Sequence, residues 1–388
     1  MVLKQLSVIL VIFLSSTIWA QSLPIRIYEG VKTNQLQCVI GSGQYLMIAH
    51  HENGIPTTVL LQTLEQGRFK IKGSLLEFYQ GTNLIAQGSH FELIQRNQED
   101  FVNWSVPEIS TKIRSYEGDF ELTIVKGQIQ LINNVELETY LEGVVSCEGG
   151  SGHHQSYYQT QAIISRTYAL AYQNRHQKDG YALCDRVHCQ AYLHKRIGTT
   201  LIDSSVYSTQ NIVLLDANGN YFPTFFHANC GGQTCPPEYV WNQPIEGLYS
   251  FKDTFCIHTK QATWVKNIAL SKWTAFLTTK YNFPIDDSVS LALLQNFKSE
   301  DRTAFYIHPV YGIPMRDLRD EFNLKSSFFN AEIKDQQVIL SGRGFGHGVG
   351  LCQEGAMKMA KEGYKYDQIL RYYFPGAIIS RNKTLIHE

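Results

Sequence analysis

The chain has 388 residues, of which 44% are hydrophobic and 18% charged, and its formal net charge is −1. That length admits two or three domains, and a near-neutral balance argues against a protein built to bind the nucleic-acid polyanion. The aromatic share of 12% suits flat-faced ligands such as carbohydrates, and equally suits an ordinary β-rich exported protein.

The chain opens with Met1-Val2-Leu3-Lys4, an apolar run reaching Leu14, and then Ser15-Ser16-Thr17-Ile18-Trp19-Ala20-Gln21. One early positive charge, a short apolar core and a small residue before a polar one predict a secretory signal peptide over residues 1–20, cleaved near Ala20. The run is short for a bilayer span, and no later segment reads as one. The mature chain is expected to be exported, periplasmic or extracellular, with no membrane span. All eight cysteines, at 38, 147, 184, 189, 230, 235, 256 and 352, follow the signal. Disulfides can persist in that compartment, although their pairing cannot be deduced from a count.

Residues 21–110 read as a small β-rich N-terminal module, with strand-like Ile25-Arg26-Ile27-Tyr28, Tyr45-Leu46-Met47-Ile48, Thr57-Thr58-Val59-Leu60 and Phe69-Lys70-Ile71 broken by turn residues. Further strands are expected at 120–125 and 129–132, and a strong helix over 155–174. The segments 212–215 and 221–226 flank Asn218-Gly219, a hairpin signal. Helical patterns return at 268–281, 290–297, 353–362 and 366–373, the last stopped by Pro375-Gly376. Without regular βαβ alternation the class is α+β, and residues 111–388 are expected to form the main functional domain.

Three segments carry chemistry. In the first, Leu137-Glu138-Thr139-Tyr140-Leu141-Glu142-Gly143-Val144-Val145-Ser146-Cys147-Glu148, an apolar stretch ends on a carboxyl just before a glycine-rich loop. Partial desolvation there raises a carboxyl pKa and suits a general acid at neutral pH. The plainer reading is that Glu148 favours the positive end of the following helix. On that helix Gln159 and Arg166 lie seven apart and share a face. Arg166 can pair with Glu148, bind an anionic substrate group, or make a surface salt bridge.

The second segment places His176 before Cys184-Asp185-Arg186-Val187-His188-Cys189. Two sulfurs and two imidazoles fit a tetrahedral zinc site, and a local Cys184–Cys189 disulfide is the alternative. The third is Gly342-Arg343-Gly344-Phe345-Gly346-His347-Gly348-Val349-Gly350, running into Leu351-Cys352-Gln353 and a helical pattern. It lacks the Gly-Lys-Ser/Thr ending of a phosphate loop and the downstream acid of a dinucleotide fold. A glycine-rich structural corner remains the plain alternative.

Together these segments resemble the SpoIID/LytB family of peptidoglycan lytic transglycosylases. The matching residues are 137–148, 161–170, 183–192, Asn229-Cys230-Gly231-Gly232 with Val240-Trp241, and 342–356 with 372–376. The resemblance covers roughly residues 112–388, and implies a SpoIID-like mixed helix and sheet core. It implies that Glu148 is the catalytic acid, and that Arg166 and Tyr168 take the family's helix arginine and tyrosine. It also implies a structural zinc on Cys184, His188 and Cys189, with His176 as fourth ligand. Gln159, His347 and Gln353 are further candidates for the sugar groove. Two departures stand out: Gly149-Gly150 replaces the usual Met-Pro, and Gln159 replaces a lysine.

The activity so implied is cleavage of the MurNAc–GlcNAc β-1,4 bond with formation of 1,6-anhydro ends. One carboxyl acts first as acid and then as base, unlike the carboxylate pair of ordinary glycosidases. The expected partners are glycan strands and, by analogy with LytB-type relatives, a cell-wall amidase. On the amidase reading the chain is a non-catalytic glycan-binding enhancer. A metal-dependent hydrolase needs an open zinc position. If the first and third motifs line one cleft, a Cys147–Cys352 disulfide is expected, with Cys230–Cys256 as a second pair; buried free thiols are the alternative.

Overall fold

Apolar residues spaced two apart build the first part of the protein. The strand Gln44–His50 buries Tyr45, Met47 and Ala49, and Phe101–Val106 buries Val102, Trp104 and Val106. The computed structural model describes residues 22–52, 54–196 and 200–381. The expected signal peptide lies outside the described residues.

These strands form two layers. One sheet runs in the order Leu183–Cys184, Ser22–Ile27, Gln128–Glu136, Asp119–Val125, His90–Gln95, Gln44–His50, Thr57–Gln62. The other runs Ser110–Glu117, Phe101–Val106, Gln35–Ser42, Gln66–Lys72, Leu75–Gln80, Asn83–Gly88. Their facing aromatics meet edge-on: Phe69 lies 5.3 Å from Phe91, and Trp104 lies 5.3 Å from Phe120. Such pairs contribute about 0.5–1.5 kcal/mol each beyond the area they bury.

The β unit does not stop at residue 110. Ser22–Ile27 pairs antiparallel with Gln128–Glu136 and parallel with Leu183–Cys184, while Ser110–Glu117 pairs with Phe101–Val106. Strands on both sides of 110 therefore share both sheets. The chain leaves the β layers at Glu136 and passes directly into helix α1 (Leu137–Gly149). Leu137, Tyr140, Leu141, Val144 and Val145 are buried at the 3-4-3-4 spacing of one helical face. The mixed α+β class is as the sequence implies.

Helix α1 packs on α2 (Gln155–Ala171), which is buried on almost every side, and on α3 (Thr200–Ser208). Arg166 sits fully buried in α2 and grips Glu138 of α1 with two hydrogen bonds, Nε to Oε1 at 2.9 Å and Nη2 to Oε2 at 2.6 Å. Its remaining donors reach the carbonyls of Ile212 and Val206. Arg166 thus pairs with Glu138 and not with Glu148, and no part of it is open to a ligand.

After a short helix α4 (Glu238–Trp241), a second unit with its own core interrupts the main body. Its antiparallel sheet runs Thr263–Ala269, Gln337–Arg343, Phe329–Lys334, Asn296–Phe297. Helices α5 (Leu270–Tyr281), α6 (Ser288–Gln295) and α7 (Met315–Glu321) cover it around Trp273, Tyr306 and Leu340. The strand Gln337–Arg343 feeds straight into the glycine-rich loop, which returns to the main body at helices α8 (Gln353–Lys361) and α9 (Tyr366–Tyr373). Among the described residues, no helix is long and apolar enough to cross a membrane.

The loop is glycine-rich because another backbone touches it. At Gly350 (φ +72°) a Cβ would stand 2.1 Å from the Phe225 carbonyl oxygen, and at Gly344 (φ +78°) 2.6 Å from that of Asn229. Between these points Asn229 and Phe345 exchange both backbone hydrogen bonds, and Phe226–His227 pairs parallel with Leu351–Cys352.

A buried pair broken on one side leaves an uncompensated charge, which costs about 3–5 kcal/mol. Arg166→Ala is expected to lower stability by roughly that amount, read from the urea midpoint at unchanged m-value. The double change Arg166→Met with Glu138→Leu should recover much of the loss. A substitution at Arg166 that weakened ligand binding at full stability would contradict this role.

Candidate functional site

The cleft of about 880 Å³ lies where the main body, the second unit and the glycine-rich loop meet. Glu148 lines it from the last turn of α1, with Tyr168, Arg175, His188, Cys189, His227, Trp241, Arg319, His347 and Gln353. Among the described residues lining it, Glu148 is the sole carboxyl.

Glu148 stands at the negative end of α1, whose last turn carries no basic residue, so the helix dipole opposes its charge. This reverses the helix-start reading of the sequence. Burial pushes its carboxyl above the ordinary value of 4.5, partly offset by the Ala191 N–H, which donates to Oε1 at 2.8 Å. Its backbone carbonyl accepts from Gln353 Nε2 at 3.1 Å, and the same amide lies 3.4 Å from Gln161 Oε1. The first and third sequence motifs therefore meet at Glu148. Glu142 is pushed higher, to about 7, by burial and then by Asp203, yet it does not line the cleft. A raised pKa alone does not mark the site; position does.

The structure sorts the remaining candidates. Tyr168 is in place, its hydroxyl accepting from Arg175 Nη1 at 2.6 Å and facing the His188 carbonyl at 3.4 Å. His347 is also in place, beside Trp241 and His227 with ring centroids 5.5 and 5.6 Å away. Burial lowers its pKa to about 4, so it is neutral near pH 7. Its Nδ1 accepts from the Val349 N–H, while His227 Nδ1 lies 3.1 Å from the Val349 carbonyl. That leaves His227 Nε2 as an acceptor without a protein partner among the described residues. Two candidates fall outside the cleft. Arg166 is consumed by Glu138, and Gln159 turns to α3, where its Nε2 donates to Ser208 Oγ at 3.0 Å.

The cysteine-histidine segment closes into a cluster. One donor atom each from His176, Cys184, His188 and Cys189 lies within 4.8 Å of all the others. Cys189 Sγ stands 3.5 Å from His176 Nε2 and 3.7 Å from His188 Nδ1. The other nitrogen of His176 faces Asp179 at 3.6 Å. Cys184 and Cys189 are free thiols, as are the other six cysteines. The cluster borders the cleft, and two residues after Cys189 the same loop delivers the Ala191 N–H to Glu148.

The expected Cys147–Cys352 bridge is not formed. Cys147 Sγ accepts from the Leu193 N–H and lies 3.5 Å from His194 Nε2. Cys352 sits instead in a buried group with Cys230 and Cys256, whose sulfurs are 3.3 Å apart.

Sequence reasoning missed Arg175, His227 and Arg319 as lining groups, and Ala191 as a hydrogen-bond donor. Arg175 directly precedes His176, and His227 lies two residues before the Asn229-Cys230-Gly231-Gly232 motif, so position beside a motif was the available signal. Arg319 comes from α7 of the second unit and had none.

Residues 125–215 match the SpoIID family, described as stage II sporulation protein. Stage II sporulation protein D of Bacillus subtilis is 27% identical over 274 residues, covering 67% of this chain and 78% of that protein. The protein of the same name from Bacillus amyloliquefaciens is 25% identical over 66% of this chain and 78% of its own length. The amidase enhancer of Bacillus subtilis is 23% identical over 62% of this chain and 40% of its own length. With the motif residues gathered around one cleft, these likenesses support the resemblance of the chain to the SpoIID/LytB family.

Proposed function

We propose that this protein is an exported lytic transglycosylase that remodels peptidoglycan, with Glu148 as its acid and base. The observation carrying this reading is the single carboxyl of the cleft, raised by burial and held by one N–H. Neutral Glu148 gives its proton to the glycosidic oxygen as the bond to muramic C1 breaks. The resulting carboxylate takes the proton of the C6 hydroxyl as that oxygen closes on C1. The proton count balances and no water is consumed, so no second carboxylate is needed. Arg175 and Arg319 are the cationic side chains lining the cleft, and they suit the lactyl carboxylate in place of Arg166. Trp241, exposed at the cleft, offers a flat face to sugar rings.

His176, Cys184, His188 and Cys189 fit a zinc ion, since two sulfurs and two imidazole nitrogens converge from one loop. Four protein donors close a tetrahedral site, so the ion's part is structural. The work of the loop around it is to hold the Ala191 N–H against Glu148.

A second reading has two supports, the likeness to an amidase enhancer and Gln159 where the family has lysine. In it the chain binds glycan strands and stimulates a wall amidase without turnover. Both readings place the protein at the cell wall, outside the cytoplasm.

Glu148→Gln decides between them. On purified glycan strands it should reduce release of 1,6-anhydromuramic products by at least roughly 10²–10⁴-fold, the usual worth of a general acid, with glycan binding retained. Undiminished anhydro products would refute the mechanism. Wild-type protein that releases none, yet stimulates an amidase, would favour the enhancer.

The pH dependence follows from the raised carboxyl. The active acid is protonated, so activity should decline as pH rises through the folded-state pKa of Glu148, which lies above 4.5. The same shift acts on stability. A raised folded pKa means stability present below the unfolded value is lost as pH climbs through the folded one. Glu148→Gln should therefore unfold at higher denaturant than wild type at neutral pH, and that gain should vanish below about pH 4.

Cys189→Ser should remove the zinc bound at this loop and lower turnover while leaving the urea m-value unchanged. Metal analysis beside product release checks both. Full turnover in zinc-free protein would exclude the positioning role of the loop.

A further inference from the structure

We infer that Cys230, Asp253, Cys256 and Cys352 form a second, buried zinc site, separate from the cysteine-histidine loop. One donor atom of each lies within 4.8 Å of the other three, and all four residues are buried. Cys230 Sγ is 3.3 Å from Cys256 Sγ and 3.3 Å from Asp253 Oδ2. The four come from three distant stretches: the Asn229-Cys230-Gly231-Gly232 turn, the segment before the second unit, and the residue capping α8.

Three features point to a cation here. Asp253 is wholly buried, and among the described residues its partners are the Tyr373 hydroxyl at 2.9 Å, the Phe255 N–H at 3.0 Å and the Cys230 thiol, with no cationic side chain in an ion pair with it. A buried carboxylate without counter-charge is costly, and a divalent ion supplies that charge. The surrounding donors orient the ligands as an outer shell does: Tyr373 and Phe255 hold the carboxylate, and the Cys230 N–H points to Cys352 Sγ at 3.3 Å. Room is also reserved for the group. At Gly355 a Cβ would stand 2.1 Å from the Tyr373 hydroxyl, 2.9 Å from Asp253 Oδ2 and 3.4 Å from Cys352 Sγ. A Cys230–Cys256 disulfide would use only two of the four groups and leave a carboxyl and a thiol pressed against it. Three thiolates and one carboxylate converging on one point suit zinc among the divalent metals. None of the four lines the cleft, so the ion would pin the backbone that presents Gln353.

The test uses the full mature chain purified without added metal. Zinc analysis of wild type and two double variants assigns ions site by site. Cys184→Ser with Cys189→Ser should keep one zinc, and Cys230→Ser with Cys352→Ser should lose that one. X-ray absorption on the first variant should show three sulfurs at about 2.3 Å and one oxygen near 2.0 Å. Asp253→Asn, nearly the same shape, should release zinc to a chelator at least roughly tenfold faster. If both cysteine variants fail to fold, wild type alone still decides through its zinc count, sulfur coordination and free thiols after denaturation. The inference is overturned by an intact mass about 2 Da below the reduced chain with Cys230 joined to Cys256. It is equally overturned if all zinc disappears with Cys184 and Cys189 in a folded protein, or if iron fills the site.

Discussion

The buried grip of Arg166 on Glu138 sets the frame on which the cleft is hung. Glu138 lies in the first turn of α1 and Glu148 in the last, so fixing one end of this helix against α2 fixes where the other end delivers its carboxyl. The guanidinium also holds the Ile212 and Val206 carbonyls, which couples α3 and the strand Ile212–Leu215 to the same point. A planar guanidinium grips a carboxylate with two parallel donors and still has donors for carbonyls, a fork that a lysine's single nitrogen cannot reproduce. An arginine whose helix position suggests a ligand-binding residue serves here as the joint beneath the cleft.

Much of this was legible in the sequence, and the limits have physical causes. The raised carboxyl at the end of an apolar run, the four metal-type donors and the helices at 353–361 and 366–373 are local patterns, and local patterns survive folding. The 3-4-3-4 spacing over 137–145 was present too, but an apolar run before glycines reads as well without a helix. What was not legible depends on pairing across the chain. The first strand lies between two later ones, so no composition shift near residue 110 can mark a boundary. Arg166 shares a face with Gln159 as the spacing requires, but only tertiary packing says that the face meets Glu138 and α3. The second unit has its own core, yet its strands carry ordinary alternation with nothing to announce an insertion.

The glycine-rich loop shows how a sequence signal can be right about backbone and silent about purpose. Gly344 and Gly350 serve close contact with residues 225–231, where a side chain would collide with a carbonyl oxygen, while Gly342 and Gly348 leave room for Trp264, Arg302 and Cys235. At the start of α8 the Glu354 N–H is already taken, donating to the Ala228 carbonyl. The side chains between the glycines then fall on the cleft wall: Phe345 and His347 line it, and the second unit adds Arg319. Close backbone packing thus converts an alternating run into one edge of the cleft.

Glu148 is held at two atoms, and each hold comes from a residue beside a cluster of soft donors. Its side chain takes the Ala191 N–H, two residues after Cys189; its backbone carbonyl takes the amide of Gln353, the residue after Cys352. A carboxyl kept partly out of water gains from donors that need not reorganise when its charge changes, and loses if those donors wander. Loops cannot offer such rigidity by themselves, since their ordering costs conformational entropy at every residue. Four converging donors at each loop meet that cost; the group at Cys352 lies off the cleft, and the cysteine-histidine group meets the cleft only through His188 and Cys189. On this view each cluster stands behind one hold on Glu148, the first behind the N–H at its side chain and the second behind the amide at its backbone carbonyl.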